Sequence, residues 1–137
     1  MDMSMMKMDA MMMPGMDMMA MQNLVEACAA CEQACTMCGD MCMGMEGMGK
    51  CAAMCMNTAD MANTMMRMMM RPMGMDMDAM MAMMNATMLM AKARMTECMM
   101  HADMMEHCRM CAQACEQVMM ACETMMASMK SMMPAGA

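Results

Sequence analysis

The stretch Cys28-Ala-Ala-Cys31-Glu-Gln-Ala-Cys35-Thr-Met-Cys38-Gly-Asp-Met-Cys42 spaces five cysteines alternately by three and four residues. Residues three or four positions apart lie on the same face of an α-helix. Most residues between these cysteines are Ala, Glu, Gln or Met, all of which favour helix. The stretch therefore predicts a long helix with one face lined by thiols.

The composition extends this prediction to the whole chain. Its 137 residues fit one domain, and they include 47 Met but no Phe, Tyr or Trp. Strands are usually filled by β-branched and aromatic residues, so we expect an all-α protein. A net charge of -7 disfavours nucleic acid and anionic membranes as partners. The uncharged stretch 79–91 is shorter than the ~20 apolar residues that span a bilayer.

Proline and glycine divide the chain into helix-length segments. The predicted helices cover about 16–43, 48–70, 76–101 and 104–131. Asp103 and Glu106 have the spacing of a capping box at the start of the last helix. Short connections favour antiparallel neighbours, so residues 16–131 are predicted to form an antiparallel up-down-up-down four-helix bundle. Residues 1–15 are predicted to be a Met-rich mobile arm and residues 132–137 a flexible tail.

One inward stripe can be traced along each predicted helix by steps of three and four residues. The stripe of the third helix contains Met77, Met81, Met84, Met88, Ala91, Met95 and Cys98. All 12 cysteines of the chain fall on the four stripes. Antiparallel stacking predicts level layers, of which the outermost contains Cys42, Cys51, Cys98 and Cys108, with His101 and His107 just above it. The opposite end of the core is predicted to be rich in thioethers.

The sequence is compatible with four roles for these cysteines. They could be small buried hydrophobic residues or form a disulfide framework, although cysteines along one helix face are poorly placed to bridge each other. The Cys-x-x-Cys pairs also match zinc and iron-sulfur motifs, but their spacers continue the helix where such sites need turns. A tube of thiolates and thioethers is a soft environment that selects Cu(I).

The cysteine motifs resemble those of the bacterial copper storage proteins. The resemblance covers about residues 22–131 and rests on the stretch quoted above, on Cys51-Ala-Ala-Met-Cys55 and on His107-Cys108-Arg-Met-Cys111-Ala-Gln-Ala-Cys115 with Cys122. It implies a four-helix bundle that stores multiple Cu(I) ions and assembles into a homotetramer. It also implies His101 and His107 at the end where metal enters. As Cu(I) ligands it implies Cys28, Cys31, Cys35, Cys38, Cys42, Cys51, Cys55, Cys98, Cys108, Cys111, Cys115 and Cys122.

Methionine is the main departure from a fully cysteine-lined core. Stripe methionines serve either as core filler or as thioether ligands of Cu(I). Outward-facing methionines either join bundles to one another or act as surface ligands of Cu(I) or Ag(I). The candidate thioether ligands are Met45, Met48, Met65, Met84, Met88, Met95 and Met104. Methionine also forms a sulfoxide, so a sacrificial oxidant scavenger is an alternative function, beside a zinc or iron-sulfur helical protein.

The predicted function is therefore copper storage by a protein that is not an enzyme, because the sequence has no recognisable catalytic constellation. The donor or acceptor protein for copper is not identified by the sequence. Thioethers carry no proton and cannot form disulfides, so Met sites remain functional in an oxidising or acidic compartment. We accordingly expect an exported, periplasmic protein whose signal peptide has been removed, with the cytoplasm as the alternative.

Overall fold

The computed structural model describes residues 17–132 and contains four long helices in that range. They are α1 (Met18–Met43), α2 (Gly49–Met69), α3 (Met77–Met99) and α4 (Glu106–Lys130). A short 3-10 helix, Pro72–Gly74, connects α2 to α3. Residues 17–132 contain no strand, so the all-α prediction is confirmed. The predicted arm 1–15 lies outside the described residues, as does the predicted tail after Met132.

The helices form an antiparallel four-helix bundle, as predicted. α1 packs against α2 and α4, and α3 packs against the same two helices, with α2 and α3 sharing the least extensive of the four interfaces. Gly39 allows α1 and α2 to approach closely, because a Cβ atom there would lie 3.1 Å from the Cβ of Cys55. The α1–α2 and α3–α4 connections lie at the same end of the bundle.

The core changes in composition from one end to the other. All 12 cysteines are buried, and they begin at the end that carries the α1–α2 and α3–α4 connections. The opposite end is filled by fully buried apolar side chains, namely Met21, Leu24, Met65, Met69, Met84, Met125 and Met129. The prediction of a thiol-rich end and a thioether-rich end is therefore confirmed.

The predicted stripe of α3 is wrong in its rotational phase. The side chains of α3 that are buried are Met80, Met84, Thr87, Ala91, Arg94 and Cys98. Met88 and Met95, which the sequence placed on the inward stripe, are only half-buried. Methionine occurs on every face of α3, so apolar and polar faces are not distinct in the sequence. The pattern therefore does not indicate which face of this helix is buried.

The predicted start of α4 is also wrong. The helix begins at Glu106 after a turn over residues 101–104, and its N-cap is Met105, which makes no side-chain capping bond. Glu106 instead accepts hydrogen bonds from Arg109 one turn along the helix. The Glu106 carboxylate is therefore bound to Arg109, and it does not accept the backbone N–H hydrogen bond that a capping box requires.

Among residues 17–132, no helix is apolar over a length sufficient to cross a membrane.

The capped helix starts give a stability prediction. The Asp76 carboxylate accepts a hydrogen bond from the Ala79 amide at 2.9 Å and caps α3. We expect Asp76→Ala to lower the free energy of unfolding by about 1 kcal/mol, because an orphan helix amide loses its acceptor. Asp103→Ala is the matched control, since Asp103 caps no helix, and its loss should be smaller. Urea unfolding of reduced, metal-free protein measures both, and equal losses would contradict the assignment of Asp76 as the cap.

Candidate metal centre

The thiols are distributed unevenly over the four helices. Five belong to α1 and four to α4, whereas α2 contributes two and α3 contributes one. All are free cysteines. Nine of the 12 thiols therefore belong to α1 and α4, which pack against each other.

The cysteines of α4 are staggered against those of α1. The Sγ of Cys111 lies 3.5 Å from that of Cys35 and also forms a close group with Cys38. The Sγ of Cys115 lies 4.0 Å from that of Cys31 and forms a close group with Cys31 and Cys35. The prediction of level layers is wrong here. Each side chain instead fits between two of the facing helix, as knobs-into-holes packing requires.

Four groups of side chains bring their donor atoms within 4.8 Å of one another. The groups are Cys38, Cys42, His107 and Cys108; Cys31, Cys35 and Cys115; Cys38, Cys51 and Cys55; and Cys38, Cys98 and Cys111. Metal–sulfur bonds are about 2.3 Å long, so two sulfurs up to about 4.6 Å apart can bind one ion. Because Cys38 belongs to three groups, ions bound in these groups would share it as a bridging ligand.

The two histidines occupy different environments. His107 directs Nδ1 to the Sγ of Cys38 at 3.2 Å and lies 3.7 Å from the Sγ of Cys108. His101 directs Nε2 toward the carboxylate of Glu97 at 3.8 Å. The structure thus brings His107 into the cysteine core at its outer end. It places the half-buried His101 beside the Glu97 carboxylate, outside the cysteine groups.

The family model described as "Copper storage protein" matches residues 17–127. The chain belongs to the copper storage protein family. This assignment confirms the resemblance seen in the cysteine motifs and the predicted function. No curated protein matches the chain in sequence.

Three solved structures of the copper storage protein Ccsp from Streptomyces lividans are similar to this chain. The form loaded with 10 copper equivalents has 35% identity and a TM-score of 0.80, covering 83% of this chain and 89% of that chain. A histidine-to-alanine mutant has 34% identity and a TM-score of 0.81, covering 85% and 99%. The form with five coppers has 35% identity and a TM-score of 0.76, covering 79% and 92%.

The expectation of an exported, periplasmic protein is wrong. The five-copper Ccsp structure is described as that of a cytosolic copper storage protein. The expectation rested on the methionines, but thioethers are stable in reducing as well as oxidising compartments. Twelve free thiols are typical of a reducing compartment.

In this copper storage protein the candidate thioethers fall into three classes of burial. Met48, Met65 and Met84 are buried, Met88 and Met95 are half-buried, and Met45 and Met104 are exposed. Met104 is 85% exposed in the α3–α4 turn. The buried class lies within the core and the half-buried class packs against it, and the assignment of each of the seven as a ligand stays a prediction.

Arg94 is a core residue that the sequence pattern did not predict. Its side chain is fully buried, with Nε donating to the Sγ of Cys98 at 2.9 Å and Nη2 donating to the Sγ of Cys51 at 2.8 Å. Nη1 donates to the Cys51 carbonyl at 3.0 Å. The spacing of Ala91, Arg94 and Cys98 by three and four residues is the signal that places it on the inward stripe.

Burial determines the protonation of several thiols. Desolvation raises the pKa of Cys122 to about 12 and raises that of Cys42 to about 12. Burial also raises the pKa of Cys28 well above its ordinary value. Hydrogen bonds from Cys115 and Cys35 lower the pKa of Cys31. The metal-free core is therefore mostly protonated at neutral pH, and a metal ion that binds these sulfurs must displace protons.

The raised thiol pKa values predict the pH dependence of copper binding. Below the pKa of a buried thiol, each copper–thiolate bond releases one proton, so affinity should rise by about tenfold per pH unit for each proton released. Competition with a Cu(I) chelator at several pH values, with proton release followed by an indicator dye, measures this. Affinity that does not change between pH 6 and 8 would show that the thiols are already ionised, contrary to this account.

Proposed function

We propose that the protein stores multiple Cu(I) ions in the cytosol, bound mainly by thiolates along the α1–α4 side of the bundle. The observation that carries this proposal is the set of overlapping donor groups that share Cys38. In this proposal all twelve cysteines are ligands. Copper enters beside His107, at the end where the α1–α2 and α3–α4 connections lie, with His101 at the rim.

The chemistry of the donors favours Cu(I) as the cargo. Thiolate and thioether ligands select soft cations, and a bound Cu(I) offsets the charge of a thiolate in a core that water does not reach. Ag(I) is a soft cation of the same charge, and we propose that it binds the same donors. Because every thiol faces the core, we propose sequestration as the role, without catalysis.

Zinc binding is a second candidate, favoured by one group of ligands. Cys38, Cys42, His107 and Cys108 together have the Cys₃His composition of structural zinc sites, and their donor atoms lie within 4.8 Å of one another. This group would use only three of the 12 thiols. Zinc therefore accounts for the outer end of the core and leaves the deeper thiols without a role.

We propose that thioethers extend the copper site. Met65 on α2 and Met84 on α3 are fully buried in the core. Met48 is buried at the entry end, where Met45 and Met104 could hand copper inward. Met88 and Met95, which are half-buried, would contribute at the edge of the core.

We also propose that the bundles associate as a homotetramer, the assembly implied by the family resemblance. Exposed apolar side chains on the helices support association, including Met37 at 65% exposure and Met110 at 54%. Contiguous apolar patches on soluble proteins commonly mark interaction surfaces. Some of these methionines would then be covered in the assembly, and a separate protein would deliver or accept copper.

Replacing two central thiols tests storage in the core. We expect Cys35→Ser/Cys115→Ser to lower the number of bound Cu(I) equivalents by about two, because each lost thiolate removes the charge that offsets one Cu(I). Anaerobic titration of reduced protein against a chromophoric chelator counts the equivalents.

The matched control for this test is Met37→Ser/Met110→Ser, which changes two exposed sulfurs on the same two helices. We expect this control to keep the capacity of the unmodified protein. If the cysteine variant retained full capacity, copper would be bound outside the core and the proposal would be wrong.

A second pair of substitutions tests the buried thioethers. Leucine has nearly the volume of methionine but no sulfur, so Met65→Leu/Met84→Leu should change the free energy of unfolding by less than about 1.5 kcal/mol. We expect the same variant to bind fewer Cu(I) equivalents in the chelator titration. Unchanged binding with unchanged stability would make these two methionines core filler.

A further inference from the structure

Arg94 places a permanent positive charge among the thiols of the core. A guanidinium stays protonated at any pH at which the protein is folded. Among residues 17–132 the ion pairs involve Lys50, His101 and Arg109, and none involves Arg94. The sulfurs of Cys51 and Cys98 are therefore the groups beside it that can carry the negative charge that a buried cation requires.

The position of Arg94 between two helices matters as much as its charge. It extends from α3, contacts Cys98 on its own helix, and reaches both the sulfur and the carbonyl of Cys51 on α2. These contacts bridge the least extensive interface of the bundle. The guanidinium thus lies where an ion bridging Cys51 and Cys98 would otherwise bind.

We propose that Arg94 takes the place of one core copper ion: it occupies the space between Cys51 and Cys98, prevents Cu(I) from bridging these two sulfurs, and directs copper to the α1–α4 side of the core. This inference rests on the storage of Cu(I) in the cysteine core. It makes Arg94 a determinant of how much copper the bundle holds and where the ions lie.

Both sulfurs remain available to copper on the side that faces α1. Cys51 lies 3.2 Å from Cys42 between Sγ atoms, and it forms a close group with Cys38 and Cys55. Cys98 forms a close group with Cys38 and Cys111. Arg94 thus excludes copper from one bridging position only, and both cysteines remain ligands.

Electrostatics leads to the same arrangement. Two positive charges repel strongly in a core of low dielectric constant, so a Cu(I) ion is disfavoured next to the guanidinium. In the loaded core each thiolate charge is offset by a cation, and Arg94 offsets one of them without copper. Removing the guanidinium leaves that charge to be offset by an additional ion.

The test compares Arg94→Leu with Arg67→Leu, because leucine adds no sulfur ligand. Arg67 lies exposed in the last turn of α2, so both variants lose one positive charge but only one loses it from the core. We expect Arg94→Leu to bind about one Cu(I) equivalent more than the unmodified protein, and Arg67→Leu to bind the same number as the unmodified protein. Anaerobic chelator titration gives the counts, after circular dichroism has shown that both variants are helical.

Equal counts for the two variants would overturn the role of Arg94 and leave copper storage intact. Binding of only one or two equivalents by the unmodified protein would instead refute storage itself.

If Arg94→Leu does not fold, crystals of the copper-saturated unmodified protein provide the test. The electron density should then show Arg94 between the two sulfurs, and the anomalous scattering of copper should show no ion bonded to both. A copper ion about 2.3 Å from both Cys51 and Cys98 would refute the proposal.

Discussion

A buried thiolate is costly unless a positive charge or hydrogen-bond donors lie beside it, and this requirement governs the whole core of the bundle. Twelve buried thiols without disulfide bonds can remain neutral while they are protonated, as the raised pKa values of Cys28 and Cys122 indicate. They can also ionise together when soft cations replace their protons. Folding without metal and storage of metal are therefore compatible in one core.

The staggered packing of α1 and α4 places the thiols in a continuous row of potential metal sites. The sulfurs of Cys108, Cys111 and Cys115 each lie near two sulfurs of α1, so neighbouring metal positions share ligands instead of forming separate centres. The bundle geometry repeats this contact every three or four residues, which explains why storage needs no loop or dedicated cage. The single arginine of the core, Arg94, interrupts the pattern on the opposite side, between α2 and α3.

Much of this arrangement could be predicted from the sequence, because the spacing of the cysteines indicates which helix faces are buried. On α1 and α4 most thiols recur at steps of three and four residues along one face, so their spacing predicts both the helices and the face that is buried. α3 has one cysteine, and methionine occurs on all of its faces. The predicted buried face of α3 was therefore wrong at Met88 and Met95. Arg94 escaped notice because a charged residue is rarely fully buried. The stagger of α4 against α1 depends on packing between helices, which the pattern within one helix does not encode.

The central claim is that the cysteine core holds many Cu(I) ions at once. Anaerobic titration of the fully reduced protein with Cu(I), in competition with a chromophoric chelator, tests this most directly by counting the equivalents that the protein withholds. The account predicts on the order of ten or more equivalents, comparable to the number of thiols that bind soft metal. Saturation at one or two equivalents would contradict it, because one or two mononuclear sites would then explain all of the binding.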